Sequence, residues 1–256
     1  MSIDRRSFIA TGAASVLAPV AARAQGSPAN RLATDLGEVV IHPINHATIV
    51  LETPIGVIYV DPVGTIDRYG GAPPPDLILI THEHGDHYNA DLVTALSANG
   101  PAIVTNPAIH AMLPGGLAGA AVPLANGESG EAMGASIEAV PAYNITEGRL
   151  NFHPQGRDNG YVLGLGGRRL YISGDTEGTP EMRGLQGIDL AFVCMNLPFT
   201  MAAEQAASAV ADFAPGIVYP YHYRGRDDGT QDPEVFADLL AASGAQTEVR
   251  FGSWYG

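Results

Sequence analysis

The chain of 256 residues contains no lysine: all 13 basic side chains are arginine, against 27 aspartates and glutamates and a net charge of −14. Basic residues never run beyond a pair. Polyanion binding needs clustered cations to neutralise phosphates. The composition therefore speaks against a nucleic-acid or anionic-membrane partner. Cysteine is nearly absent too. The single thiol, Cys194, excludes an internal disulfide, and its apolar setting in "DLAFVCMN" points to a buried inert group rather than a nucleophile. No G-x-S-x-G elbow offers a serine nucleophile. No stretch is long and apolar enough to cross a bilayer, which takes roughly 20 residues. Apolar residues are plentiful, at 46%, enough for one large core or two small ones.

The N-terminal stretch "DRRSFIATGAASVLAPVAARA" pairs Arg5 and Arg6 ahead of a weak, alanine-rich apolar run and ends in the A-x-A pattern Ala22–Ala24. It resembles a twin-arginine export signal. The resemblance implies a leader over residues 1–24, contact with the Tat export machinery, and a periplasmic or secreted mature domain over 25–256.

Residues 25–36 read as a loose lead-in. Closely spaced strands follow: "EVVIHPI", "ATIVLET" and "GVIYVDP", broken by Asn45-His46 and Thr53-Pro54, which suggests antiparallel pairing. "DLILIT" is a continuous apolar run, as a strand covered on both faces should be. "NADLVTALSANG" reads as a helix capped by Asn89 and ended by Gly100. The second half begins with strands and then alternates strand and helix through "DLAFVCMN", "MAAEQAASAVADFA", "GIVYPYHY" and "DPEVFADLLAASG". The expected fold class is α/β: two mixed sheets packed face to face with helices outside.

The most informative segment is "ILITHEHGDHYNADLV". His82 and His84 stand two apart in an extended segment, so both imidazoles face one side and can approach one cation. Gly85 lets the chain turn, and Asp86 and His87 follow as the helix begins, displaced from the first pair. That displacement suits a second cation, at the roughly 3.5–4 Å spacing of two-metal sites. A polar loop with coincidental histidines is the alternative, but three of eight histidines fall within these six residues.

"THEHGDH" resembles the signature of the metallo-β-lactamase-fold hydrolases. The resemblance implies an αββα sandwich, with His82 and His84 in a first site and Asp86 and His87 in a second. Further motifs extend it over most of the mature chain. Asp61 in "IYVDP" would buttress the metal loop, Asp175 in "YISGDT" would bridge both ions, and His222 in "YPYHY" would complete the second site. The usual third histidine of the first site is missing. Asn144 follows "PA" where many members carry it, and His153 comes nine residues later in "FHP". The run "PAYN…FHPQG…GYVL" is similar to a subgroup of metal-dependent hydrolases akin to ascorbate-6-phosphate lactonases, which implies His153 as that ligand. A loop histidine that merely hydrogen-bonds is the other reading. His46 in "INHAT" is expected near the same cleft, behind the ligands.

The resemblance thus implies two divalent ions, zinc by default with iron or manganese as alternatives, and hydrolysis by a bridging hydroxide. Asp86, Asp175 and His222 are the expected catalytic residues, acting on an ester, lactone, amide or phosphodiester of a small molecule. Arg224 and Arg226, just beyond His222, are candidates for holding a substrate carboxylate or phosphate. They are equally readable as solvated loop residues balanced by Asp227 and Asp228. Two rival functions remain at this level. One is a mononuclear iron persulfide dioxygenase using His82, His84 and Asp175. The other is a non-catalytic metal-binding protein.

Overall fold

In the continuous apolar runs, side chains sort themselves by strict alternation. Ile49 and Leu51, Ile58 and Val60, and Leu77 and Leu79 face a central core, while Val50, Tyr59, Ile78 and Ile80 between them face an outer one. A strand covered on both faces has no polar side, which is why these runs show no polar alternation. The computed structural model describes residues 30–255. The leader expected over residues 1–24 lies outside the described residues.

Strands β1 (Arg31–Thr34), β2 (Gly37–Asn45), β3 (Thr48–Thr53), β4 (Gly56–Val60), β5 (Leu77–Ile80), β6 (Ala102–Thr105) and β7 (Ala121–Pro123) form one sheet in chain order. The first four pair antiparallel and the last three continue in parallel. The outer face of this sheet packs on α1 (Ala90–Leu96) and α2 (Pro107–Met112). The short α3 (Gly115–Ala118) follows.

The second sheet repeats this wiring with β8 (Ser129–Ala132), β9 (Ala135–Ala142), β10 (Asp158–Leu165), β11 (Arg168–Ile172), β12 (Leu190–Cys194), β13 (Ile217–Tyr221) and β14 (Glu248–Val249). Its antiparallel part is β8 to β11 and its parallel part β11 to β14. Helices α4 (Pro180–Arg183), α5 (Ala203–Phe213) and α6 (Pro233–Ala242) belong to this half. One core of side chains from both sheets joins the halves. The expected two-sheet α/β architecture is the one observed.

Local signals behave as their chemistry requires. Asn89 accepts the Leu92 N–H at 2.9 Å and caps α1, and Gly100 takes the left-handed conformation beyond it. Gly166 and Gly167, both at positive φ, make the tight turn between β10 and β11. Two readings change. Residues 31–34 are not a loose lead-in: β1 pairs with β2, Leu32 opposite Val39. Asp86 and His87 do not begin the helix; they sit in a turn where His87 N and Tyr88 N both donate to His84 O at 2.9 Å, before Asn89 caps α1.

The strands that matter for function end at one edge of the sandwich. Asp61 comes just after β4, Thr81 just after β5, Gly174-Asp175 just beyond β11 and His222 just after β13. Glycine is required at 174, where φ is +59° and a Cβ would stand 2.8 Å from Asn159 O and 3.0 Å from the Thr81 Cβ. That close approach lets Asp175 of the second sheet meet the histidine loop of the first.

Candidate metal centre

Asp61 organises the loop after β5. Its Oδ1 accepts the Thr81 N–H and its Oδ2 accepts the Thr81 hydroxyl, both at 2.7 Å. Oδ2 also lies 2.8 Å from His87 Nδ1. Asp61 and His222, the residues just past β4 and β13, both take left-handed φ, at +45° and +49°. Such a conformation costs a non-glycine residue about 1–3 kcal/mol and persists where the surroundings impose it. Here it turns the chain sharply at each strand end.

One cluster joins His82, His84 and His153, each offering one ligand atom within 4.8 Å of the others. His82 Nε2 is 3.1 Å from His84 Nδ1. The orientation of His153 is fixed by the residue that replaces the usual histidine. Asn144 donates from Nδ2 to the carbonyls of Arg149 and Phe199, at 3.0 and 2.7 Å, which forces its oxygen toward His153. Oδ1 then takes the Nδ1–H of His153 at 3.1 Å. His153 Nε2 is left buried, with a lone pair and no hydrogen-bond partner.

Asp175 connects this cluster to the next. Its Oδ2 lies 3.5 Å from His153 Nε2. Its Oδ1 faces the other way, 3.3 Å from His87 Nε2 and 3.4 Å from His222 Nε2. His87 and His222 bring their Nε2 atoms to 3.0 Å of each other. Asp86 Oδ2 stands 3.4 Å from His222 Nε2 and 3.3 Å from His46 Nε2. Asn196 lies behind His222, its side-chain amide 2.7 Å from Nδ1.

The electrostatics follow from crowding imidazoles and carboxylates in a dry place. Burial and the neighbouring His87 hold His82 well below its ordinary pKa. Burial pushes His153 down to about 4. Burial also lowers His84, the Asp175 charge notwithstanding. His87 moves the other way: burial alone would lower it, but Asp175 and Asp61 hold it well above the usual value. Burial would raise Asp175, yet His222 and His87 carry it well below the carboxylate range. Three neutral imidazoles with unprotonated nitrogens therefore stand on one side of an ionised carboxylate, and a cationic imidazole on the other.

The residues fit metal ions. Neighbouring ligands on an ion with bonds of about 2.0–2.1 Å are separated by about 2.9–3.4 Å in octahedral to tetrahedral geometry, and the spacings above fall in or close to that range. Two of the converging atoms, His153 Nε2 and Asp175 Oδ1, are buried without a hydrogen-bond partner, as a ligand atom is before its cation arrives. An all-His/Asp donor set suits zinc, iron or manganese.

His82, His84, Asp86, His87, His153, Asp175 and His222 are thus brought together. The two arginines are not. Arg226 lines a cleft of about 310 Å³ with His84, Asp86, Phe152, His153, Asp175, Phe199 and His222. Arg224 does not line it; its guanidinium lies 4.1 Å over the Tyr255 ring. An aromatic face beside Arg224 captured the side chain that the sequence allowed as half of an arginine fork. Three residues of the site were missed in the sequence: Asn196 and Tyr255, which carry no motif, and Glu177. Glu177 Oε2 accepts the N–H groups of Ile145 and Thr146 at 2.8 and 2.7 Å, and Oε1 pairs with Arg149 at 2.9 Å. It pins the loop that carries Asn144 and His153. Its place two residues after Asp175 was the only hint.

Two mixed sheets in an αββα sandwich, with His/Asp clusters at one edge, define a metal-centred fold. Residues 60–223 match the model of the Beta-lactamase superfamily domain, and the chain belongs to that family. A protein named UPF0173 metal-dependent hydrolase from Thermus thermophilus is 31% identical over 220 residues, covering 81% of this chain and 94% of its own. A solved structure from Parabacteroides distasonis, of a protein named "Putative metal-dependent hydrolase", shares 38% identity with a TM-score of 0.77 over 90% of this chain and 99% of its own. Igni18, a metallo hydrolase from Ignicoccus hospitalis, shares the fold at 24% identity and a TM-score of 0.69, over 83% of this chain and 94% of its own.

Proposed function

We propose that the protein is an exported, binuclear metal-dependent hydrolase acting on an ester, lactone, amide or phosphodiester of a small molecule. The observation that carries this reading is the division of Asp175, with Oδ2 toward His153 and Oδ1 toward His87 and His222. One carboxylate in that position would set the spacing of two ions and balance charge on both. Divalent ions held there, zinc by default and iron or manganese as alternatives, polarise an acyl or phosphoryl oxygen and lower the pKa of water toward neutrality. His82, His84 and His153 would hold the first ion; Asp86, His87 and His222 would hold the second, with Asp175 shared. A mononuclear iron dioxygenase would draw on the first cluster and Asp175 alone, so the second cluster favours hydrolysis.

The cleft above these residues suits a small substrate. Phe152 and Phe199 meet edge to face at 5.1 Å and present an apolar wall. Arg226 lies 5.1 Å over the Phe199 ring and would engage an anionic substituent at the rim. The names of the relatives support the reaction class, and the "PAYN…FHP" resemblance puts lactones first among substrates to try. Export by the twin-arginine route, to the periplasm or beyond, rests on Arg5, Arg6 and the Ala22–Ala24 site. Lysine at both arginines should strand the protein in the cytoplasm, and normal export of that variant would remove this part of the proposal.

The test of the chemistry is Asp175→Asn. It keeps the shape but removes the charge balancing two dications. The variant should stay folded by circular dichroism, lose at least one ion, and lose most of its kcat on whichever lactone, ester, phosphodiester or β-lactam is turned over. An unchanged kcat in a folded variant would refute the two-ion mechanism.

A further inference from the structure

We propose that His46 is a direct ligand of the second ion, held in register by Tyr255 from the C-terminal segment. The inference rests on the two-ion reading above and adds a residue to it. His46 lies in the turn between β2 and β3, distant in sequence from the "THEHGDH" loop but beside its Asp86. The β2–β3 register shifts between Pro43 and Asn45, and His46 itself takes a φ of +53°. A shifted register and a left-handed residue at a strand end re-aim a side chain, and here they aim the imidazole at Asp86 and His222.

The geometry is that of a ligand. His46 Nε2 is 3.3 Å from Asp86 Oδ2, and the same oxygen is 3.4 Å from His222 Nε2. The carboxylate is therefore flanked by two imidazole nitrogens at nearly equal distance, both within the spacing of neighbouring ligands on one ion. The His46 and His222 ring centroids are 3.8 Å apart. His46, Asp86 and His222 each offer a ligand atom within 4.8 Å of the others, as compact a set as His82, His84 and His153.

The other nitrogen of His46 has its own anchor. Nδ1 lies 2.7 Å from the Tyr255 hydroxyl, which also accepts Arg224 N–H at 3.3 Å. Arg224 stacks on the Tyr255 ring, and the adjacent Trp254 is 1% exposed among Phe192, Tyr219 and Tyr221. The end of the chain is thus bolted to the core, with one phenol oxygen placed behind His46. A metal-ligating histidine ordinarily gives its second N–H to such a partner, which fixes the tautomer and the ring. With Nδ1–H on the phenol and the ring neutral, the lone pair of Nε2 faces Asp86 Oδ2 at 3.3 Å, and a cation between these two acceptors would reconcile them. If the phenol instead donates to Nδ1, His46 merely orients Asp86 by donating from Nε2 and touches no metal.

Cobalt separates these cases. The full chain, stripped of metal, is titrated with Co²⁺ alongside His46→Asn and Tyr255→Phe, following visible d–d absorption and bound metal by mass spectrometry. Asparagine tolerates the left-handed φ of position 46, and circular dichroism and melting of the metal-free variants monitor the fold. His46→Asn should weaken the second equivalent at least tenfold and change its visible spectrum, leaving the first equivalent as in the wild type. Tyr255→Phe should weaken the same equivalent several-fold, and it carries the test alone if His46→Asn does not fold. Two equivalents with unaltered affinity and spectrum in the folded variants would overturn the role of His46 while leaving the two-ion reading intact. A wild type that takes up a single equivalent would overturn both.

Discussion

Replacing Asp61 by asparagine changes one atom and no shape, yet it should cost the protein its metals. In the wild type, Oδ1 accepts Thr81 N–H, while Oδ2 receives the Thr81 hydroxyl at 2.7 Å and lies 2.8 Å from His87 Nδ1. The asparagine oxygen must stay on the Thr81 N–H, since the opposite rotamer would press two N–H groups together in a buried place. The new NH₂ then points at Thr81 Oγ1 and His87 Nδ1. For the neutral ring that binds metal, His87 Nδ1 must then accept rather than donate, which puts the one proton on Nε2, the atom that faces Asp175 and His222. The disturbance passes on through Thr81, whose hydroxyl lies 3.0 Å from His82 Nδ1. Once that hydroxyl accepts from the amide, its own proton turns toward His82, and the proton order of His82 reverses as well. Loss of an outer partner of a metal-ligating histidine costs about 10–100-fold in affinity, or about 1.4–2.7 kcal/mol. The fold should lose about 1–3 kcal/mol from weakened charge-assisted hydrogen bonds and melt only a few degrees lower. The assay is zinc affinity by chelator competition, beside circular dichroism and a melting curve. A folded Asp61→Asn protein with wild-type zinc affinity would refute the argument that Asp61 sets the tautomers.

Asn144→Ala removes the oxygen that takes His153 Nδ1–H and should weaken the first ion about 10–100-fold with little effect on the second, read by the same competition assay. Metal uptake should also release protons unequally. In the metal-free protein burial alone would lower His87, but Asp175 and Asp61 hold its pKa well above 6.5, whereas burial holds His153 down at about 4. Filling the second site near pH 7 should therefore expel the His87 proton, whereas His153 has almost none to give to the first, a difference measurable by calorimetry in buffers of different ionisation enthalpy. The sign for stability follows from the raised pKa. Protonated His87 contributes fully below the unfolded value of about 6.5, and that contribution is lost as pH rises through the folded pKa. The metal-free protein should accordingly lose this stabilisation on the alkaline side, which melting curves across pH would register.

Much of this was legible because it is local. His82, His84, Asp86 and His87 are crowded into six residues; extended geometry pairs the first two, and the turn at Gly85 displaces the others. Asp61, Asp175 and His222 each end an apolar run, and an α/β sandwich gathers such ends at one edge. His153 was legible only through its motif; what aims its Nε2 into the cluster, the Asn144 amide pinned by two carbonyls, is a tertiary fact. His46 could be placed near the cleft but not against Asp86, because that contact depends on a register shift and a left-handed turn. Tyr255 and Glu177 act across gaps of 209 residues to His46 and 31–32 residues to the His153 loop, and no periodicity reports such contacts. β1 escaped notice because a four-residue edge strand preceded by small and polar residues carries little pattern. The arginine pair failed as a fork because sequence spacing does not show the Tyr255 ring that takes up Arg224.

The central claim is that two separate ligand sets hold two ions. The most direct measurement is the transition-metal content of the purified wild-type protein after reconstitution, by inductively coupled plasma mass spectrometry, against protein concentration from amino-acid analysis. About two ions per folded chain, one of them lost selectively in Asp86→Ala and the other in His84→Ala, is the predicted result. A single ion per chain, or none, would contradict it.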